Sequence, residues 1–298
     1  MGIPPRSVVA MTQHQHAHEH QSQQGGAAND ADLSEMLDLD AEVLHDYLAE
    51  VTSWVRSLAP TPCERIVDIG AGTGTGCVAL GSLFPDAEIV AIDQSTEMLE
   101  RIRERAVAAG LADRVRTVRA NLDDGWPATG PVDLVWASMS LHHMADPDHT
   151  VDEIMAALRP GGVLAVVEID GQPRFLPDDI GIGRPGLESR FRAALEPGHA
   201  ALVPHLGSDW DARFAATGVT VLARRAFTID LQPPLPTATG RYARSFIARV
   251  RPALDGRLDA EDLATLDRLL NDDGPDSVLT RADLTVRTVR TAWVVERR

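Results

Sequence analysis

The strongest chemical pattern in the chain is Asp68-Ile-Gly-Ala-Gly-Thr-Gly74, where an apolar stretch ends in an acid and three glycines follow at alternating positions. Glycines so spaced let the backbone turn tightly and approach a ligand with no Cβ in the way. A helix starting behind such a turn presents free N–H groups to an anion. About twenty residues further on, Asp93 is placed to accept hydrogen bonds from both hydroxyls of a ribose. The pair points to a nucleotide-like ligand, and the spacing narrows which one. A dinucleotide fingerprint needs a third glycine three residues after a Gly-x-Gly pair. That position falls on Thr75 counted from Gly70 and on Cys77 counted from Gly72. A phosphate-binding Walker loop needs a lysine, and all 28 basic residues are arginine. Both alternatives fail. Further along, His142, His143 and Glu168 are groups able to hold or move a proton.

These residues fall at the ends of elements that the apolar pattern defines. Arg65 to Ile69, Glu88 to Asp93, Arg114 to Val118, Val132 to Ala137 and Val163 to Glu168 read as strands. The segments between the first three strands, and Pro147 to Leu158 before the fifth, read as helices. Such alternation predicts an α/β fold: a Rossmann-like, doubly wound, mostly parallel seven-stranded sheet with helices on both faces. Val219 to Leu231 and Thr285 to Glu296 supply the last two strands.

The expected organisation has three parts: a disordered His/Gln-rich tail over 1–30, a helical cover over 31–60 and the main domain over 61–298. His14, His16, His18 and His20 alternate in the tail, a tract able to attract a transition metal. Inserts at 171–207 and 232–283 leave the sheet at the carboxyl ends of strands, where ligands bind in such folds. They are therefore expected to act as lids over an acceptor. Tyr242, Arg244 and Phe246 are the candidate contacts there.

Composition bounds the partners. A formal net charge of −16 disfavours a phosphate backbone as substrate, so no nucleic acid is expected. No apolar run is long enough to span a bilayer, so no membrane association is expected. Cys63 and Cys77 lie apart and fit neither a disulfide framework nor a metal cage, which predicts a reducing, cytoplasmic setting and no metal centre. A homodimer stays open.

The glycine motif, Asp93, Leu158-Arg-Pro-Gly-Gly162 and Leu141-His-His143 after the fourth strand together resemble the class I S-adenosylmethionine-dependent methyltransferases, and within them the small-molecule enzymes of bacterial biosynthesis. The resemblance spans roughly residues 60 to 170. It implies S-adenosylmethionine as cofactor, S-adenosylhomocysteine as product and a small-molecule acceptor methylated on O, N or C. By the same resemblance, Gly70, Ala71, Gly72 and Gly74 belong to the cofactor loop and Asp68 reaches the ammonium group. Asp93 holds the ribose, and Gln94 and Met98 lie near the adenosine. Asn121 or Asp123 receives the adenine amino group beside the Leu122 backbone, and Ala137 and Ser138 line the pocket near the methyl donor. His142, His143 and Glu168 are the candidate bases, needed only if the acceptor must lose a proton. A protein- or RNA-directed methyltransferase and a non-catalytic cofactor-binding protein are the alternatives.

Overall fold

The computed structural model describes residues 32–297. The tail expected over 1–30, with its alternating histidines, lies outside the described residues. Strands β1 (Arg65–Ile69), β2 (Glu88–Asp93), β3 (Val115–Arg119), β4 (Val132–Ser138), β5 (Leu158–Ile169), β6 (Thr220–Leu231) and β7 (Val286–Glu296) form one sheet, in the order β3-β2-β1-β4-β5-β7-β6. The first five run parallel, and β7 is antiparallel to both of its neighbours. Strand order reverses between β1 and β4, which opens a crevice at their carboxyl ends.

The central strands are apolar on both faces because helices cover both. Ile66, Ile89, Leu134 and Ala165 pack on one side, with α2 (His45–Leu58) and α3 (Thr75–Leu83). Their neighbours Val67, Val90, Val135 and Val166 face the other, with α5 (Pro147–Ala157) and α7 (Trp210–Thr217). The side-chain period of two sorts the residues in this way. The helix α4 (Thr96–Ala108) starts where the Ser95 hydroxyl accepts a hydrogen bond from the Met98 N–H. β5 begins five residues earlier than the sequence suggests, at Leu158. Leu158 pairs with Val132 across a register shift, so Pro160-Gly-Gly162 passes through an irregularity inside the strand rather than a turn before it.

At the chain's start, α1 (residues 32–43) runs into α2, and the pair covers the carboxyl edge of the sheet. The 171–207 segment contains α6 (Leu187–Leu202), and 232–283 contains α8 (Thr239–Val250) and α9 (Ala260–Leu270). Arg184 and Arg190 from the first segment both pair with the Asp262 carboxylate of the second. Phe191, Phe246 and Leu266 join the two segments in one apolar cluster with the sheet. Both inserts are thus built into the core on the α2 side.

Candidate ligand cavity

A cavity of about 520 Å³ opens at the reversal of strand order. Its floor comes from the ends of β1, β2 and β4 and from the turn after β3. Its roof comes from α1 and α2, through Leu33, Leu37, Asp40, Leu44 and Tyr47.

The loop after β1 is shaped by its glycines. Gly70 and Gly72 have φ of +59° and +53°, and a Cβ on Gly70 would lie 2.6 Å from the Ser140 Cβ. A side chain at Gly70 is excluded both by backbone conformation and by space. The Gly72 N–H donates to Asp93 Oδ2 at 2.9 Å, and Asp93 Oδ1 accepts from the Ser95 N–H at 2.9 Å. The acid ending β2 therefore locks the glycine loop and borders the cavity at once. A carboxylate can accept several hydrogen bonds at once, so a group in this place is suited to receive a ligand hydroxyl as well.

Asp68 lies under the loop and is only 3% exposed. Burial pushes its carboxyl up to about 7, against the hydrogen bond it accepts from the Cys77 thiol at 3.1 Å, while the nearby Asp93 charge raises it further. A cation arriving in the cavity would restore its charge. The Thr73 and Ser140 hydroxyls line the same wall, are buried and have no hydrogen-bond partner among the described residues. Buried hydroxyls left without partners mark a wall suited to a polar ligand. Met139, beside Ser140, holds a φ of +59° and donates its N–H to the Val167 carbonyl at 2.8 Å. A non-glycine residue in that region stores strain, and here it sits on the cavity wall.

Gln94, Met98, Asn121, Leu122 and Asp123 also line the cavity, as do Ala71 and Ser138. Asn121 caps the short turn after β3 by accepting from the Asp123 N–H at 3.3 Å, and Asp123 accepts from the Ala145 N–H at 2.9 Å. Among the described residues no cluster of metal-ligating side chains is present, and no helix is long and apolar enough to cross a membrane.

Several expected contacts lie elsewhere. Gly74 caps α3 behind the loop with a φ of +82°, and a Cβ there would meet Ile102 of α4 at 2.9 Å, so backbone conformation and close helix packing both require it. Ala137 points into the core on the α5 side, because alternation along β4 turns Trp136 and Ser138 towards the cavity instead. His142 is buried against Glu168: its Nδ1 pairs with Glu168 Oε2, and its N–H donates to Oε1 at 3.3 Å. That pairing keeps both off the wall, while His143, whose ring is tilted 46° against that of His142 with centroids 4.2 Å apart, borders it. Desolvation first, then the charge of His142, holds His143 below the ordinary histidine range and neutral at pH 7.

The three insert residues are also outside the cavity lining. Arg244 pairs with Asp272 on the surface, and Phe246 packs 5.6 Å from the Phe175 ring. Tyr242 is buried and donates its hydroxyl to Asp40, a roof residue. The same Asp40 carboxylate pairs with Arg290 of β7, whose guanidinium lies 4.9 Å over the Tyr47 ring and lines the cavity. Sequence reasoning missed Arg290, Asp40, Tyr47 and Trp136. Arg290 lies in Val286-Arg-Thr-Val-Arg-Thr291, where the two arginines are three apart and fall on opposite faces of the strand, and which of them faces inward depends on a register that the sequence does not reveal.

Comparison with known proteins bears on residues 66–162, which match the model of a methyltransferase domain family. A demethylmenaquinone methyltransferase of Clavibacter sepedonicus is 36% identical over 118 residues, 40% of this chain and 46% of that protein. A trans-aconitate 2-methyltransferase of Pseudomonas aeruginosa is 39% identical over 106 residues, 35% of this chain and 36% of that protein. The chain spans between about a quarter and a half of the length of the curated relatives it matches. A solved protein from Bacillus halodurans shares the fold at 16% identity and a TM-score of 0.51, over 84% of this chain and 98% of the other.

Proposed function

We propose that this chain, whose residues 66–162 match the model of a methyltransferase domain family, is a class I S-adenosylmethionine-dependent enzyme that transfers the methyl group of S-adenosylmethionine to a small-molecule acceptor bound in the same cavity. The observation that carries the reading is the coupling of the positive-φ glycine loop to Asp93, with a buried acid and two unpartnered hydroxyls on one wall. The residues suit the cofactor. Asp68 offers a buried carboxyl for its ammonium group, and Asp93 a carboxylate for its ribose. Met98 and Leu122 offer apolar surface beside Asn121 and Asp123 for its adenine.

When bound, the cofactor supplies a methyl group activated by a sulfonium, so the protein's task is alignment and exclusion of water. The α1–α2 roof covers the cavity with Leu33, Leu37 and Leu44. His143 is a neutral imidazole beside the cavity; burial makes it a weak base, so one of its ring nitrogens serves as proton acceptor only for an acidic acceptor. Glu168 positions His142 and, through the contact of the two rings, His143. The two named relatives act on small molecules, which supports a small-molecule acceptor here. A cytoplasmic location and a homodimeric state belong to the same proposal.

The test is incubation with methyl-labelled S-adenosylmethionine and panels of small acids, phenols, amines, RNA and protein, reading S-adenosylhomocysteine and labelled product by mass spectrometry. Product with a small molecule supports the reading. Product with RNA or protein alone, or tight cofactor binding without turnover across the panel, contradicts it.

A further inference from the structure

The cavity carries its charges at two ends. Asp68, Asp93 and Asp123 gather over β1, β2 and β3, the end assigned to the cofactor. At the other end, over β5 and β7, the guanidinium of Arg290 is the cation of the lining. Arg290 pairs across the sheet with Ile169, the last residue of β5, which places it away from the glycine loop. It is 5% exposed, and Asp40 is its one carboxylate partner among the described residues. That carboxylate is shared, because the Tyr242 hydroxyl donates to it as well. The Nε of Arg290 is buried and has no hydrogen-bond partner among the described residues. A guanidinium offers five N–H donors in a flat fork that matches a carboxylate. Leaving a buried donor unmet is unfavourable, and a ligand that meets it gains accordingly.

We propose that Arg290 is an anion-receiving residue, and that the methyl acceptor carries a carboxylate which docks on it. The proposal rests on the reading of the cavity as a methyltransferase site and specifies its acceptor class. Asp40 takes a share of the guanidinium charge, so it tempers the site: it holds Arg290 in place while the acceptor is absent and competes with the acceptor's anion. The ring of Tyr47 lies beneath the guanidinium and fixes its plane. Position separates this group from the carboxylate of the cofactor's own methionine moiety, since the motif expected to hold that moiety lies over β1. The shared chemistry nonetheless requires the two sources to be told apart.

The experiment begins with calorimetric titration of S-adenosylhomocysteine into the wild type, Arg290→Gln and Asp40→Asn. The proteins are then saturated with S-adenosylhomocysteine, and benzoate, benzamide, hexanoate and hexanamide are compared by saturation-transfer NMR. The expected result is that each carboxylate binds the wild type at least tenfold more tightly than its amide, and that Arg290→Gln removes the preference. Asp40→Asn, which keeps an oxygen for Tyr242 while removing the competing charge, should tighten carboxylate binding at least threefold. The double variant Asp40→Asn with Arg290→Gln carries no unpaired buried charge, so it keeps the test valid if the single arginine variant unfolds. S-adenosylhomocysteine affinity should stay within threefold in all variants.

Equal binding of acid and amide overturns the proposal, as does failure of either carboxylate to bind. A tenfold loss of S-adenosylhomocysteine affinity in Arg290→Gln, absent when the probe is methylthioadenosine, would assign the arginine to the cofactor's carboxylate and also overturn it. If the wild type binds no S-adenosylhomocysteine, the underlying reading of the cavity fails instead, so the two failures are distinct.

Discussion

The buried acid under the glycine loop gives cofactor affinity a pH dependence that can be worked out from its surroundings. Asp68 titrates at about 7 in the ligand-free protein, because desolvation outweighs the Cys77 hydrogen bond. A ligand bearing an ammonium group binds the ionised form. At pH 6 about one-tenth of the molecules have that form, and at pH 5 about one-hundredth, so the dissociation constant of S-adenosylhomocysteine should rise about tenfold per pH unit below 7, or about 1.4 kcal/mol per unit. Above pH 7 the curve should level off, and affinity should fall again only where the ligand's own ammonium group loses its proton. Asp68→Asn should abolish the slope and bind at all pH values about as weakly as the wild type does near pH 5. The stability effect has the opposite sign. The folded-state value lies above the ordinary carboxylate value of 3.8. Stability contributed by the protonated acid is therefore present below about pH 4 and is lost as pH rises through 7. The loss amounts to at most about 4 kcal/mol for a shift of about three units. Asp68→Asn should consequently melt higher than the wild type at pH 8 while binding worse. Calorimetry from pH 5 to 9 together with thermal melts reads both. A pH-independent affinity in the wild type, or a variant that is both weaker-binding and less stable at pH 8, would refute the reasoning.

Other substitutions test separate parts of the account. Asp93→Ala removes the acceptor of the Gly72 N–H along with the ribose contacts, and should weaken S-adenosylhomocysteine binding by about 2–4 kcal/mol in calorimetry. Gly70→Ala places a Cβ 2.6 Å from that of Ser140 at positive φ, and should lower stability by about 1–3 kcal/mol in urea titrations. Asp262→Ala leaves Arg184 and Arg190 without their shared carboxylate between the two inserts. It should cost about 2–3 kcal/mol by the same assay, with cofactor affinity unchanged. Arg244→Ala, which loses only a surface pair with Asp272, should change stability and cofactor affinity by less than about 0.5 kcal/mol.

The order of strands and helices over 60–170 was legible because strands buried on both faces are apolar throughout, and because glycine and acid mark their carboxyl ends. The same spacing found the glycine loop and Asp93, and the family resemblance added Met98 and the turn after β3; all of them line one cavity. It was less able to choose between adjacent residues. Ala137 and Trp136 differ by one position along β4, and a step of one reverses the face. His142 and His143 are equivalent as sequence, and only the burial of Glu168 beside the first decides which borders the cavity. The roof was the larger omission. The apolar spacing of Leu37, Leu44 and Tyr47 predicts a helix that buries one face, but not that the face lies over the sheet's carboxyl edge. Likewise, Tyr242, Phe246 and Arg244 sit at helical spacing on α8. The structure uses the first two for packing and for anchoring Asp40, and leaves the third in a surface pair.

The most direct measurement of the central claim is calorimetric titration of the protein with S-adenosylhomocysteine at pH 8, set beside NADH and ATP. The cavity described here predicts one S-adenosylhomocysteine per chain, bound at least a hundredfold more tightly than either competitor, with affinity lost in Asp93→Ala. Tighter binding of NADH or ATP, or S-adenosylhomocysteine binding that Asp93→Ala leaves intact, would contradict it.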